Sequence, residues 1–320
     1  MDAISKEVKI QLFNNLLKSR RVEERLIELS TSGRLPGWLH SVLGAEAVGV
    51  GVASNLKKTD IMNNHHRGRA TLIAKGVPLE HFFAEALGTK CGPCHGIAGE
   101  MHFCDMEYGI MGMSGLVSAT LPIAAGMAYA AQYNNTGQVI VHLIGDGTVD
   151  NGYFHEVMNI ASKWKLPIVF VVENNGWAQF VPQSATASQP EIWRKAEAYN
   201  IPSKMADGND VLEVYATAKE AIEHARRGEG PMLVEYRVNR WLGHYVGDPQ
   251  KYRDPKDIER ARKSDPVIEY QALLLEKKII TATYIEKLEQ SIKAEIEAAL
   301  EYADKCPPTT ADQAFENVYA

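Results

Sequence analysis

Two polar residues that could hold a hard cation each follow an apolar run of the sequence. Asp146 lies between two glycines after residues 139–144 (VIVHLI), and Asn175 closes an Asn-Asn pair shortly after residues 168–172 (IVFVV). Mg²⁺ prefers oxygen ligands and is commonly held by one or two protein groups together with phosphate oxygens. The glycines beside Asp146 also let phosphate oxygens approach the backbone. These residue types therefore predict a site for magnesium and a diphosphate.

The segments that must position Asp146 and Asn175 form a strand, a crossover helix and a second strand. A helix-like stretch over 154–163, closed by Leu-Pro, lies between the two apolar runs, and the 29 positions from Asp146 to Asn175 (175 − 146) leave room for little else. Both residues then emerge at the carboxyl ends of parallel strands, where open α/β sheets bind ligands. The alternative, on the residues alone, is an ordinary unit of this kind in which Asp146 and Asn175 are turn residues.

Helical patterns flank this unit at both ends of the chain. Residues 4–31 are amphipathic, and from Asp254 onward charged residues rise, glycine disappears and helix patterns continue to Asp304. We predict an α/β fold with a parallel sheet, helices on both of its faces, and helical extensions at the two ends. The predicted divisions are an N-terminal helical segment over 1–40, an α/β domain over 41–250 and a C-terminal helical extension over 251–320.

Between these landmarks the pattern is less regular. Residues 232–238 predict a third strand, and residues 122–133 and 211–227 predict helices. Residues 61–76 are predicted to form a loop followed by the start of a helix. Residues 88–120 are glycine-rich and poorly periodic, and a long irregular stretch in a compact domain is usually functional.

Composition excludes some classes of function. The net charge of −6 over 320 residues opposes nucleic-acid binding, which depends on basic patches. No window approaches the roughly 20 apolar residues of a membrane span. The first residues are too polar for a secretory signal, so we predict a cytoplasmic location and no membrane or nucleic-acid partner.

The four cysteines do not read as a disulfide scaffold in a chain of this length. Cys91 to His95 nominally match a c-type haem attachment signal, but a haem protein of that type needs secretion. A zinc site is a second possibility, and a glycine-rich loop with small thiols is the third. The zinc site would use Cys91, Cys94, His102 and Cys104.

Residues 145–178 (GDGTVDNGYFHEVMNIASKWKLPIVFVVENNGWA) resemble the thiamine-diphosphate motif of 2-oxoacid dehydrogenases, in the alpha subunit of the first, decarboxylating component. Those of the pyruvate, branched-chain 2-oxoacid and acetoin dehydrogenase complexes share this pattern. Blocks over 21–24 (RVEE), 44–47 (GAEA), 99–102 (GEMH) and 240–244 (RWLGH) are similar to the family in order and spacing.

The resemblance implies a set of ligands and roles. Mg²⁺ would be held by the side chains of Asp146 and Asn175 and by the carbonyl of Trp177. His66 and His244 would take part in catalysis. The residues implied to bind thiamine diphosphate are His66, Arg67, Gly115, Val117, Asp146, Gly147, Thr148, Asn175, Arg240 and His244.

The resemblance also implies partners and a reaction. The glutamate that activates thiamine diphosphate normally comes from a second α/β domain, so a beta chain is expected to supply it in an α₂β₂ assembly. The enzyme would cleave a carbon–carbon bond next to a carbonyl, by decarboxylating a 2-oxo acid or splitting acetoin. The acyl group would pass to a lipoyl arm on an acyltransferase partner.

Three positions depart from the family pattern. Arg69 stands where many relatives have histidine, which adds a cation and removes a titratable group near the site. Residues 95–102 (HGIAGEMH) replace a Lys-Gly-Lys-Gly-Gly-Ser-Met-His-like run, so two positive charges are lost and Glu100 adds a negative one. Phe180 could narrow the substrate channel. These departures motivate an alternative, a thiamine-dependent carboligase without a lipoyl partner, and the cysteines motivate another, a non-catalytic zinc-binding scaffold.

Overall fold

A computed structural model, which describes residues 4–316, contains a six-stranded, entirely parallel sheet. Its strands are β1 (Ile61–His65), β2 (Ile110–Ser114), β3 (Ile140–Gly145), β4 (Ile168–Asn174), β7 (Ser203–Asp207) and β8 (Met232–Arg237), and the short strands β5 (Trp177–Ala178) and β6 (Val181–Pro182) pair separately. The order across the sheet is β2-β1-β3-β4-β8-β7. The chain therefore reverses its direction of travel across the sheet between β1 and β3, a position at which open sheets bind ligands.

Helices cover both faces of the sheet, as the sequence predicted. The helices are α1 (Lys6–Thr31), α2 (Glu46–Ala53), α3 (Arg69–Ala74), α4 (Leu79–Ala86), α5 (Thr120–Tyr133), α6 (Gly152–Trp164), α7 (Gln183–Thr186), α8 (Val211–Arg226), α9 (Pro255–Lys263), α10 (Pro266–Glu276), α11 (Ala282–Lys305) and α12 (Gln313–Glu316). One core joins α1, α2, α8, α10 and α11 to one face, where Val141 and Val171 point. The other core joins α5 and α6 to the opposite face, where Ile144 and Val172 point.

The predicted strand, helix and strand are β3, α6 and β4. Every residue of β4 is buried, which explains the unbroken apolar run, because a central parallel strand is covered on both faces. The Asn151 side chain accepts the backbone N–H of Tyr153 and so begins α6, and Lys165 ends it in the left-handed region at φ 51°. β3 and β4 pair from Ile140 opposite Ile168 onward, so their carboxyl ends lie side by side.

The prediction of a loop over 61–76 is wrong for its first five residues, which form β1. The strand carries two buried asparagines, Asn63 and Asn64, and residues of this type are depleted in strands. β2 contains a glycine and β7 is a largely exposed strand at the sheet edge. Neither therefore shows the apolar run that identifies β3 and β4 in the sequence. Tertiary pairing, rather than local propensity, makes these three segments strands.

The helical ends pack onto the helices that cover the sheet and onto each other. α1 contacts α2, α3, α10 and α11, and α11 contacts α4. The Arg20 guanidinium donates to Glu46 and, with both terminal nitrogens, to Asp265, which also caps α10. The two longest helices of the described part, α1 and α11, are not apolar enough to cross a membrane. The divisions at 40 and 250 stay predictions.

The glycine-rich stretch after α4 is ordered by a carboxylate and a covalent bond. The buried Glu85 accepts backbone N–H groups from four residues of the segment 94–99. Cys91 forms a disulfide with Cys306, at the end of α11. The alternative of a glycine-rich loop with small thiols is therefore corrected at Cys91, and a disulfide between residues so far apart in sequence leaves no local signature. Disulfides persist in oxidising compartments, so the cytoplasmic location stays a prediction.

Candidate active site

A cavity of about 400 Å³ opens at the carboxyl edge of the sheet, where the ends of β1, β2, β3, β4 and β8 meet. The structure brings together every predicted site residue there except Arg240. The predicted residues that line it are His66, Arg67, Gly115, Val117, Asp146, Gly147, Thr148, Asn175, Trp177 and His244. Arg240 is buried beside the cavity, where its guanidinium donates to the carbonyl of Gln179 and to the hydroxyl of Tyr252, each at 3.1 Å.

Asp146 presents a buried carboxylate that forms no salt bridge within residues 4–316, although the charges of Arg240 and Arg67 act on it. Its neighbours are backbone amides of its own turn and of Asn175, and burial raises the pKa of the Asp146 carboxyl to about 6. The side-chain oxygen of Asn175 accepts the backbone N–H of Trp177 at 3.1 Å, which fixes its orientation. Because burying an unpaired carboxylate is costly, this arrangement is suited to a cation that completes the charge.

Arg67 presents the opposite charge to the same cavity. Its guanidinium donates to the carbonyls of Ser41 at 3.1 Å and His244 at 2.6 Å and to the ring of His66 at 3.0 Å, but to no carboxylate of the described residues. Burial, followed by the charges of Arg240 and Arg69, lowers the pKa of Arg67 to about 10. An unpaired guanidinium in a cavity is a binding group for phosphate oxygens.

Three imidazole rings stand around Arg67, and the hydrogen bonds define their tautomers. His66 Nε2 accepts from Arg67, so its proton is on Nδ1, a buried atom without a partner in the described chain. His244 Nδ1 lies 3.3 Å from the Arg67 guanidinium and therefore accepts. His40 Nδ1 donates to the carbonyl of Trp38 at 3.0 Å, which leaves Nε2 as an acceptor.

These rings are neutral at physiological pH. Burial, and then the charge of Arg67, lowers the pKa of His40 to about 3, that of His244 to about 4 and that of His66 well below its ordinary value. The cavity therefore offers neutral proton donors and acceptors beside one permanent cation. His40 was missed by the sequence analysis, although it lies just before the similar block 44–47; its ring centroid is 4.5 Å from that of His66.

Two further polar residues of the cavity were also missed. His65 Nε2 donates to the carboxylate of Glu173 at 2.9 Å, and both residues are buried. His65 Nδ1 accepts the backbone N–H of Arg67 at 3.0 Å, so this ring also holds the turn that carries Arg67. A histidine in a polar strand end and a glutamate inside an apolar strand gave no local sign that they would meet.

Backbone and small residues form the remaining walls. A Cβ atom at Gly147 would lie 2.8 Å from the Cβ of Ala178, and one at Gly115 would lie 3.0 Å from the Met101 sulfur, so both positions bring backbone close to the cavity. The hydroxyl of Thr148 is buried without a hydrogen-bond partner in the described residues. These features leave backbone amides and one hydroxyl open to a ligand.

The sequence predicted that Arg69 would add a cation near the site, but the structure shows that its charge is not free. The side chain is buried and its charge is met by the carboxylates of Glu23 and Glu100, at 2.8 and 2.7 Å. Glu100 is likewise not a free negative charge facing a substrate, because it is buried and contacts Arg69; burial raises its pKa to about 7. The two departures from the family pattern are therefore partners of each other.

The predicted zinc site is not formed. Cys91 is bonded to Cys306, and within residues 4–316 no group of three or more His, Cys, Asp or Glu side chains is placed to hold a metal ion. Cys94 donates instead to the carbonyl of Cys104 at 3.3 Å. The hypothesis of a zinc-binding scaffold therefore has no set of ligands within the described residues. The haem hypothesis needs a free Cys91, which the disulfide excludes.

Buried histidines also make the folded chain sensitive to acid, and His142 in β3 allows a clean test. Burial lowers the pKa of His142 from 6.5 to about 4. Below pH 6.5 the unfolded chain therefore binds a proton at this ring that the folded chain does not bind, and the free energy of unfolding falls as the pH is lowered. His142→Asn should retain the donor to the Asn63 carbonyl and flatten this loss by up to about 1.4 kcal/mol per pH unit. Urea unfolding from pH 4 to 8 measures it; parallel wild-type and variant curves below pH 6.5 would contradict it.

The fold and the site define a class: a parallel α/β protein with a buried carboxylate and a guanidinium in one cavity at the strand ends. Residues 14–312 match the family model described as dehydrogenase E1 component, and the chain belongs to this family. It is an alpha subunit of a thiamine-diphosphate-dependent E1 component, as the sequence predicted, and such a subunit implies a beta subunit as its partner.

Relatives from several organisms support this assignment. The alpha subunit of acetoin:2,6-dichlorophenolindophenol oxidoreductase from Bacillus subtilis is 36% identical, over 99% of this chain and 95% of its own length. The alpha-3 subunit of chloroplastic pyruvate dehydrogenase E1 from Oryza sativa is 35% identical, over 99% and 77%. The pyruvate dehydrogenase E1 alpha subunit of Rickettsia prowazekii is 32% identical, over 98% and 96%.

Proposed function

We propose that this cavity binds magnesium thiamine diphosphate by its diphosphate end, and that the enzyme cleaves a bond next to the carbonyl of a 2-oxo acid or of acetoin. One observation carries the proposal: the buried carboxylate of Asp146 and the partly buried guanidinium of Arg67 line the same cavity, and neither forms an ion pair within residues 4–316. A metal diphosphate has the complementary pair of charges.

The residues present fit this ligand. The oxygens of Asp146 and Asn175 and the carbonyl of Trp177 would hold the magnesium ion. Backbone N–H groups of Gly147 and Thr148, at the turn after β3, would bind the diphosphate, with Arg67 as its cationic partner. Gly115 and Val117 would contact the aminopyrimidine ring through their backbone. Arg240 would act from behind Gln179, and its charge reaches the carboxylate of Asp146.

Thiamine diphosphate, when bound, supplies the electron sink for cleavage next to a carbonyl. This chain contributes neutral imidazoles. His244 and His66 would hold or move protons at their free ring nitrogens, and His40 Nε2 is placed to do the same. Glu173, the other carboxylate of the cavity, is held by His65. The glutamate that activates the aminopyrimidine is therefore assigned to the beta chain.

An exposed apolar surface next to the cavity supports docking of that beta chain in an α₂β₂ assembly. α5 begins directly after the cavity residues Gly115 and Val117, and its outer face joins that of α6. Large apolar side chains on this surface are exposed, and Tyr129 packs on Trp164 with ring centroids 5.4 Å apart. The exposed residues are Leu116, Ile123, Tyr129, Tyr133, Tyr153, Ile160 and Trp164. A surface of this kind marks a protein interface.

The names of the relatives support pyruvate or acetoin as the first substrates to test, and a lipoyl-bearing acyltransferase is the proposed acceptor partner. The carboligase alternative is not favoured, because the charge of Arg69 is met by Glu23 and Glu100 away from the cavity. Phe180 is 42% exposed, and its ring lies 5.6 Å from that of His244, at the mouth of the cavity. It therefore remains a candidate for substrate selection.

The test is reconstitution with a beta chain of the same family. Pyruvate, branched-chain 2-oxo acids and acetoin would each be supplied with dichlorophenolindophenol as electron acceptor, with and without thiamine diphosphate, magnesium and the beta chain. We expect reduction of the dye to need all three and to favour one substrate. A lipoyl domain added in place of the dye tests the acyltransferase step. Acyloin formation without dye reduction would instead establish a carboligase.

A further inference from the structure

Arg69 joins several segments of the chain through the hydrogen bonds of its guanidinium. The guanidinium carries five N–H donors, and all five find acceptors in the fold. Nε and Nη2 donate to the two carboxylate oxygens of Glu23, at 2.8 and 2.9 Å. Nη1 donates to Glu100 at 2.7 Å and to the carbonyl of His66 at 3.1 Å, and Nη2 also donates to the carbonyl of His40. Arg69 is 2% exposed and does not line the cavity.

These contacts join separate segments that each send a side chain into the cavity. Two of the acceptors are the backbone carbonyls of His40 and His66, the residues whose ring centroids lie 4.5 Å apart. Glu100 precedes Met101, which lines the cavity. Glu23, on α1, also accepts the backbone N–H of Val42 at 3.0 Å and so holds the segment of His40 a second time.

We propose that Arg69 is a positioning residue: with Glu23 and Glu100 it forms a buried clamp that sets the His40 and His66 rings and the Met101 segment around the cavity. The clamp is defined by Arg69, Glu23 and Glu100. Its consequence for cofactor binding rests on the proposed function, whereas its effect on the rings does not.

Arg69 and Glu100 act as a matched pair within this clamp. The resemblance implies histidine in many relatives at the position of Arg69 and serine at that of Glu100, and this chain departs from it at both. Replacing Arg69 alone leaves two buried carboxylates, Glu23 and Glu100, facing each other without a cation. Replacing Glu100 as well removes the second carboxylate. The pair must therefore change together to keep the net charge of the clamp unchanged.

The first experiment separates positioning from general stability. Arg69→Lys keeps the charge but has three donors in place of five, so it cannot hold Glu23, Glu100 and both carbonyls. Arg226→Lys is the matched control, because Arg226 also makes a two-nitrogen ion pair with a buried carboxylate, that of Asp60, beside the start of β3 rather than at the cavity.

The readout is the histidine ring signals of the full alpha chain, labelled with ¹⁵N-histidine, together with its urea unfolding. We expect both variants to unfold at lower urea concentration, but only Arg69→Lys to shift or broaden the His40 and His66 signals. His155, on the exposed side of α6, should be unchanged in both. Unchanged His40 and His66 signals in a destabilised Arg69→Lys chain would overturn the proposal, since Arg69 would then be structural only.

The second experiment tests the matched pair. The variants Arg69→His, Glu100→Ser and the double variant are compared in urea. We expect the midpoint of the double variant to lie above that of Arg69→His, because Glu100→Ser then removes an unpaired buried charge. A double variant that is less stable than Arg69→His would refute the pairing.

Thiamine diphosphate affinity, measured by titration of the assembled alpha and beta chains with magnesium, links the clamp to the cavity. We expect Arg69→Lys to weaken it about tenfold, a coupling within the range usual for residues that share a network. Wild-type affinity in that variant would overturn the link to binding. Absence of binding in the wild-type assembly would instead refute the proposed function, while the ring signals still judge the clamp.

Discussion

Replacing Asp146 by asparagine should remove the tight, magnesium-dependent binding of thiamine diphosphate, with a loss of affinity of at least about 100-fold. Even groups that only support a metal ligand change metal affinity by about 10- to 100-fold when they are removed, and Asp146 is proposed to be a direct ligand. The amide keeps the shape of the side chain but not the charge that would balance the cation. Calorimetric titration of the assembled enzyme with thiamine diphosphate, at several magnesium concentrations, measures the change.

The same substitution should not weaken the fold. Burial raises the pKa of Asp146 to about 6, so at neutral pH the ionised carboxylate destabilises the ligand-free chain, and a neutral amide relieves that cost. Asp207→Asn is the control, because Asp207 also lies at the carboxyl end of a strand of the sheet but is exposed and does not line the cavity. We expect it to leave affinity unchanged. Wild-type affinity in Asp146→Asn, or an equal loss in Asp207→Asn, would disprove the assigned role.

The part of the site on the central strands could be predicted because its chemistry and its topology are both local. The apolar runs before Asp146 and Asn175 are long, and they are uninterrupted because β3 and β4 are covered on both faces. Once two parallel strands and one helix are accepted, the two polar residues must share an edge. The contribution of Arg67 needed the family resemblance, since a basic residue in a polar segment is otherwise read as a solvated charge.

The residues that were missed depend on partners distant in the sequence. His65 meets Glu173 across β3, and Arg69 meets Glu23 and Glu100 from two other segments. Each of these charged or polar side chains is unfavourable to bury alone, so the sequence of a single segment does not predict the pairing. Expecting Arg69 to add positive charge and Glu100 to add negative charge was reasonable for each residue. Both expectations were wrong for the same reason, because Arg69 and Glu100 form an ion pair in the fold.

Removing the Cys91–Cys306 disulfide by Cys306→Ser should lower the free energy of unfolding by about 2–4 kcal/mol. The bond joins residues 215 apart, so it closes a long loop in the unfolded chain and restricts its conformations. In the folded chain the same corner is also held by backbone hydrogen bonds, from Lys90 to the Pro307 carbonyl and from Thr309 to the Gly88 carbonyl. The folded state should therefore survive the substitution, and the loss should appear in urea unfolding without reductant.

Reductant provides the control for this prediction. It should lower the wild-type stability to that of Cys306→Ser and leave the variant unchanged, while Cys104→Ser, which removes a free thiol, should keep the wild-type response. Equal stability of wild type and Cys306→Ser before reduction would show that the bond does not constrain the chain. The disulfide also fixes the start of the segment that Glu85 and Arg69 hold further along, so a looser Cys91 should leave the Glu100 end in place. The His40 and His66 ring signals of Cys306→Ser should accordingly match those of the wild type, which makes the disulfide and the clamp separable in the same chain.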